Sequence, residues 1–318
     1  MTINVRRSIT RSIAAVTTLG TALVGCGAGA AGKDPVARPA KPPSATATAQ
    51  RPAGPEHPAL MPVFLRGPEP AGATGREART GTRTGTGTEE IRAGARSGAE
   101  TGTRAGAGGK TVALTFDADM TPDQGPGAAR GERFDNPALI SSLRRLEVPA
   151  TVFMTGRWAE EYPYQAREIG SDPLFEVANH SYSHHSFTPD CHGLPVLARK
   201  ELAADVRRAF GAFRKAGVRQ VVPYFRFPGG CYDTSTLRAL APAGLTAVQW
   251  DVVSGDAFAT DAEAVAERVL AEVRPGSVVV MHCTTGAAPV TDEAVRAIVP
   301  ALRARGYRFV KVSELMKG

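Results

Sequence analysis

The stretch Thr111-Val112-Ala113-Leu114-Thr115-Phe116-Asp117-Ala118-Asp119 decides the fold. Its first six residues are a short apolar, β-rich run, and two carboxylates follow at once. A strand ending in acids is followed by a helix start at Asn136-Pro137, with Asn at the N-cap and Pro at the first helical position. Leu139, Ile140, Leu143 and Leu146 then recur at helical spacing. The same alternation continues outward. Strands are expected at Ala150–Met154, Leu174–Ala178, Val222–Arg226, Leu245–Val252, Ser277–Met281 and Arg308–Lys311. Helices are expected around Trp158–Ile169, Pro195–Ala216, Thr234–Leu240, Asp261–Val273 and Thr291–Arg305. Strict alternation implies an α/β fold of parallel strands with helical crossovers. About seven such units point to a distorted (β/α) barrel, with an open doubly wound sheet as the alternative.

In either architecture ligands gather at the C-terminal ends of the strands. That is where the reactive side chains fall: Asp117 and Asp119 after the first strand, His180 and His184 after the third, Arg226 at the end of the fourth, Asp256 after the fifth and His282 after the sixth. Two histidines with carboxylates can hold a divalent metal, and a further Asp and His can move protons beside it. The i, i+4 spacing of His180 and His184 puts both rings on one face if the segment is a helical turn. The combination points to metal-assisted hydrolysis rather than passive binding.

The 318 residues fall into three expected segments. Residues 1–26 read as an export signal. Arg6, Arg7 and Arg11 precede an apolar run, Ile13 to Val24, shorter than the roughly 20 residues that a membrane span needs. The run ends in Leu23-Val24-Gly25-Cys26, similar to a bacterial lipobox, so Cys26 is expected to carry a lipid; an ordinary secretory signal cut near Ala28 to Ala31 is the alternative. Residues 27–108 are rich in Ala, Gly, Pro, Thr and Arg, lack apolar periodicity and read as a disordered tether, with one apolar patch at Leu60–Leu65. Residues 109–318 are long enough for one large core and form the expected catalytic domain.

Lys and Arg total 38 and Asp and Glu 31, a net +7; residues 109–318 carry 24 of each sign, so the excess lies in residues 1–108. A neutral domain argues against nucleic-acid binding. Membrane contact is expected only through a lipid on Cys26, and a monomer is expected. Beyond Cys26 there are Cys191, Cys231 and Cys283; export permits a bridge, Cys191–Cys231 is the candidate pair, and one thiol is left over.

Five ordered motifs, from Val112 to about Met316, resemble the NodB-homology polysaccharide deacetylases, carbohydrate esterase family 4. They are Thr115-Phe116-Asp117-Ala118-Asp119, His180-Ser181-Tyr182-Ser183-His184, Arg226-Phe227-Pro228-Gly229-Gly230, Trp250 to Ala257, and Val280-Met281-His282. The resemblance implies a NodB-like barrel, a divalent metal (most often Zn2+, with Co2+ or others accepted) and removal of acetyl groups from an N-acetylated polysaccharide such as peptidoglycan or chitin-like sugars. It assigns Asp117 as general base, His282 as general acid, Arg226 and Asp256 as their orienting partners, and His180 and His184 as metal ligands. It also gives the residue-229 backbone N–H to the oxyanion and Val280 to an apolar wall.

Three departures stand out. The family's second motif carboxylate is Ala118, so Asp119, His185 or water must complete the metal shell; Asp119 is the expected ligand. Gly229 replaces a Tyr, keeping the N–H but losing a side-chain wall. Val253 and Ala257 replace an Asp and a Trp in the fourth motif, with Phe258 nearby. An O-acetyl esterase acting on xylan-type glycans and an inactive wall-binding relative are the rival expectations.

Overall fold

The computed structural model describes residues 59–68 and 109–317. The expected export signal, the lipobox Cys26 and most of the expected tether lie outside the described residues.

Among the described residues nine strands form one sheet: β1 Val63–Phe64, β2 Lys110–Ala118, β3 Ala150–Met154, β4 Phe175–Asn179, β5 Tyr224–Phe225, β6 Thr246–Val248, β7 Val252–Val253, β8 Ser277–His282 and β9 Tyr307–Phe309. Among the described residues nine α-helices accompany them: α1 Gly125–Ala129, α2 Pro137–Arg145, α3 Gly156–Glu161, α4 Pro163–Ser171, α5 Leu202–Ala216, α6 Thr234–Leu240, α7 Ala262–Glu272, α8 Thr291–Ala304 and α9 Val312–Leu315. The strand order is β1-β6-β5-β4-β3-β2-β8-β7, with β9 also on β2, and the pairings are parallel.

Apolar residues at helical spacing drive the outer layer onto the sheet. Leu139 and Leu143 of α2, Trp158 of α3 and Val295 and Ile298 of α8 are fully buried with Leu114 and Phe116 of β2. Full burial of a Leu or Phe side chain stabilises by roughly 1.5–3 kcal/mol. Strand β2 is paired on both sides, by β3 and β8, and seven consecutive residues from Val112 are buried. A strand covered on both faces reads as a continuous apolar run, as this one does.

The single strand expected at Leu245–Val252 is two strands on opposite sides of the sheet. Residues 249–251 leave β6 near one edge and rejoin as β7 at the other. A three-residue link spans at most about 14 Å, so the sheet must curl until its edges nearly meet. This is the distorted barrel rather than the open sheet. Polar side chains make the break: Asp251 accepts the Val278 N–H at 2.7 Å and the Ser277 hydroxyl at 3.0 Å, docking the link onto β8.

Three other expectations are corrected. The helix expected over Trp158–Ile169 is broken at Tyr162 (φ −119°, ψ 56°) because Pro163 lacks an N–H and disfavours helical geometry before it. The helix expected from Pro195 starts as a 3-10 turn at Arg199 and becomes α5 only at Leu202; residues before it form a loop bridged at Ser186 and Val196. The folded unit also reaches back into the expected tether. Val63 and Phe64 pair with Ala247 and Val248, and Met61, 2% exposed, packs with Phe225 and Phe227.

Candidate active site

Parallel register brings the two expected proton-transfer residues together. Asp117 on β2 is the direct partner of His282 on β8, and the Cys283 N–H donates to the Asp117 carbonyl at 2.8 Å. Strand pleating puts residues 117 and 119 on one side and Ala118 on the other. Ala118 is accordingly buried in the apolar core, while Asp119 stands beside the histidines.

Arg226 follows β5 and is fully buried. Its Nη1 donates to Asp117 Oδ1 at 2.7 Å and its Nε to the Val248 carbonyl at 3.1 Å. Its guanidinium lies over the Phe153 ring, 3.9 Å from the centroid. The head group is thus held by carbonyls and a ring face, and a buried arginine of this kind is an orienting partner rather than a solvated cation. Burial alone would raise the Asp117 carboxyl, but the Arg226 charge, with His180 and His282, outweighs it and holds the group below the ordinary carboxylate value.

His180 follows β4. Its Nδ1 donates to the Arg226 carbonyl at 2.9 Å, which leaves the Nε2 lone pair free, 3.5 Å from Asp117 Oδ2. His184 Nε2 lies 3.8 Å from Asp119 Oδ2, and the two imidazole centroids are 5.0 Å apart. The pair does not share a helical turn, as its spacing had implied. Ser181 (φ 69°) and His184 (φ 55°) are left-handed, and local polar bonds replace the helix ladder. Ser181 N–H donates to Asn179 Oδ1, His184 N–H to Ser181 Oγ, and Tyr182 N–H to Asp205 Oδ1.

Ligand atoms of Asp119, His180 and His184 all lie within 4.8 Å of one another. The donor set fits a divalent cation. Burial lowers both histidines to about 4, reinforced by His184 at His180 and by His282 and His185 at His184, so each is neutral and can ligate. Burial raises the Asp119 carboxyl against the pull of His282 and His180, and a bound cation would favour its charged form. His185, the other candidate for the shell, is not part of this cluster.

His282 is organised by Asp256, which is 1% exposed. Its Oδ1 accepts from His282 Nδ1 at 2.8 Å and its Oδ2 from the His282 N–H at 2.7 Å. Ser254 Oγ and Thr291 Oγ1 donate to the same carboxylate at 2.9 and 2.7 Å. Burial lowers the His282 imidazole, but the Asp256 bond and charge dominate in sum, and it is pushed up to about 9. Sequence reasoning missed Ser254 and Thr291. Thr291 opens α8 and reads locally as a helix start, so only the fold reveals its bond across 35 residues to Asp256.

Gly229 has φ 64°, and a Cβ there would meet Cys191 Sγ at 2.6 Å, with Leu194 and His192 next. The wall expected to be lost is therefore filled from another loop. Cys191 is bonded to Cys231, as expected for the pair, and Cys283 is a buried free thiol. Val280, 5% exposed, sits in register between Thr115 and Val253. A groove of about 790 Å³, lined by Arg167, Phe175, Arg219 and Lys311, lies at the opposite, N-terminal end of β4 and contains none of these groups.

Residues 104–248 match the family model described as polysaccharide deacetylase. The chitooligosaccharide deacetylase of Sinorhizobium fredii is 32% identical over 214 residues, covering 64% of this chain and 91% of that protein. The chain belongs to the polysaccharide deacetylases, carbohydrate esterase family 4. A peptidoglycan-N-acetylglucosamine deacetylase of Bacillus cereus is 25% identical, with 65% of this chain and 89% of that protein covered. Among solved structures, a family 4 pseudoenzyme from Bacillus anthracis is similar at 25% identity and a TM-score of 0.53, covering 65% of each chain. The family thus contains active and inactive members.

Proposed function

We propose that this chain is a metal-dependent hydrolase that removes acetyl groups from an N-acetylated polysaccharide, peptidoglycan or chitin-like sugars. The observation that carries the reading is the facing pair Asp117 and His282, one buried and held ionised, the other held protonated, beside the Asp119–His180–His184 cluster.

Asp119, His180 and His184 would hold the ion, for which we assign zinc; a His₂–carboxylate set also accepts Co2+. When bound, such an ion polarises an acyl oxygen and acidifies water. Asp117 accepts the proton of the attacking water; Arg226 keeps it ionised and aimed. The residue-229 N–H is the backbone donor for the developing oxyanion. His282, protonated through Asp256, donates to the departing sugar amine, without which the nitrogen is a poor leaving group. Val280 gives the acetyl methyl an apolar wall.

Acetate release from chitooligosaccharides and from peptidoglycan tests the assignment. Asp117→Asn and His282→Ala should each abolish release while leaving circular dichroism unchanged; wild-type turnover in either variant would refute the roles. Release from acetylated xylan alone would favour the O-acetyl esterase. Ala118 at a family ligand position favours the second reading, a wall-binding pseudoenzyme. Absence of both bound metal and acetate release, with binding to the wall polymer retained, would establish it.

The Cys191–Cys231 disulfide supports an extracytoplasmic location. No helix among the described residues is long and apolar enough to cross a membrane. We propose that Cys26 carries a lipid anchor, that residues 1–26 are the signal, that the described domain works as a monomer on its polysaccharide, and that the remainder of 27–108 is a tether.

A further inference from the structure

The Cys191–Cys231 bond joins two loops that the sheet alone leaves separate. One follows β4 and carries His180 and His184; the other follows β5 and carries Arg226 and Gly229. Residues 190, 192 and 193 of the first loop are all left-handed, Asp190 and His192 among them without being glycine. Such conformations persist only where surroundings over-determine them. Few backbone bonds do so here: Ser186 N–H to the Pro195 carbonyl, Leu197 N–H to the Ser186 carbonyl and Leu194 N–H to the Cys191 carbonyl. The loops also touch through Phe187, whose ring lies 5.5 Å from Phe225 and 5.7 Å from Phe227, and through His180 Nδ1 donating to the Arg226 carbonyl; the covalent link adds a constraint at residue 191 itself and bears directly on Gly229. Cys191 Sγ occupies the space where a residue-229 Cβ would stand, and Leu194 and His192 flank it. Cys231, two residues on, holds the other end of the same turn. Within the turn, Gly230 N–H donates to the Phe227 carbonyl and Gln249 Nε2 to the Gly230 carbonyl, and the Phe227 ring stacks on Tyr232 at 5.3 Å.

We propose that Cys191 and Cys231 are positioning residues for the Gly229 amide: the disulfide replaces the missing side-chain wall as the support of the oxyanion turn, and turnover requires the oxidised bond. The kinetic part rests on the deacetylase reading above; the structural part does not. Among the described residues the remaining thiol does not interfere, because burial pushes Cys283 up to about 12 and keeps it an unreactive thiol.

The test uses the full chain with zinc in excess and a trialkylphosphine as reductant, since dithiols would compete for the metal. The phosphine attacks one sulfur and the S–S bond breaks. Water then supplies the oxygen of the phosphine oxide and the two protons of the thiols. Oxidised glutathione reverses the change, each pair of protein thiols re-forming one disulfide as two glutathione thiols are released. Reduction should lower kcat on a chitooligosaccharide about ten- to hundredfold, the scale of a misplaced oxyanion donor, with KM changed less than about threefold. Reoxidation should restore it in the wild type and not in the Cys191→Ala/Cys231→Ala variant. Amide hydrogen exchange should accelerate at least about tenfold at residues 190–194 and 227–231 and stay unchanged in α8. Unchanged exchange at 227–231 on reduction would overturn the proposal, and so would unfolding of the whole domain, which would make the bond a general staple. An oxidised protein without turnover would refute the deacetylase reading alone, leaving the exchange result to decide the positioning role.

Discussion

Asp256→Asn separates the electrostatic role of Asp256 from its structural one, because the amide keeps the size of the carboxylate but not its charge. Four donors converge on the carboxylate: His282 Nδ1, the His282 N–H, Ser254 Oγ and Thr291 Oγ1. His282 stands at about 9 against an ordinary 6.5. That rise corresponds to about 3 kcal/mol of preference for the charged ring, most of it supplied by Asp256. Removing the charge should bring the imidazole back to about 6.5 or below, since burial then acts with less opposition. At pH 8 the protonated fraction would fall from about 0.9 to about 0.03, a roughly thirtyfold loss of kcat; at pH 6 the loss from this cause would be less than about twofold. The assay is acetate release from a chitooligosaccharide between pH 5 and 10. The wild type should lose activity through a limb near 9, and the variant through one about 2.5 units lower. An alkaline limb in the same place for both proteins, or an equal loss at every pH, would refute the reasoning. Stability follows the same linkage. The folded value of His282 is raised, so its pairing stabilises the fold fully below about 6.5, and the contribution is lost as pH rises through about 9. The gap in Tm between wild type and variant should therefore be wider at pH 6 than at pH 10.

Asp119→Ala should weaken zinc binding at least about hundredfold by calorimetry, more than loss of an outer-shell partner, whereas His185→Ala should leave it within about threefold; the reverse order would exchange their roles. Gly229→Ala must place a Cβ at φ 64° and 2.6 Å from a disulfide sulfur, so Tm should fall by the equivalent of about 1–2 kcal/mol or more, with kcat reduced. An unperturbed melt would show that the turn is free to relax. Met61→Ala should cost about 2–5 kcal/mol in urea unfolding if residues 59–68 are part of the folded unit; a loss near zero would return them to the tether.

Local chemistry made much of this protein legible. Hydrophobic periodicity depends on near neighbours, so Thr111–Phe116, the Asn136-Pro137 cap and the repeating strand–helix units could be read directly, and with them a parallel α/β fold. Because such folds gather ligands at strand ends, the ordered placement of Asp117, His180, Arg226, Asp256 and His282 already implied one site. Reading failed where a longer-range interaction overrode a local pattern. Leu245–Val252 reads as one strand, but Asp251 binds β8 and the chain changes edges. His180 and His184 have helical spacing, but Asn179 and Asp205 capture the backbone donors between them.

By itself, then, the order of residues determined the alternation of elements, the family motifs and the inventory of acids and imidazoles, because each depends on identity and short spacing. Only the tertiary structure decided that the pleat carries Asp119 to the histidines while Ala118 enters the core, that Thr291 and Ser254 complete the cradle of Asp256, and that a disulfide fills the space beside Gly229. Each of these is a contact between segments far apart in the chain, set by how closely packed strands and loops approach, and no local propensity records that distance.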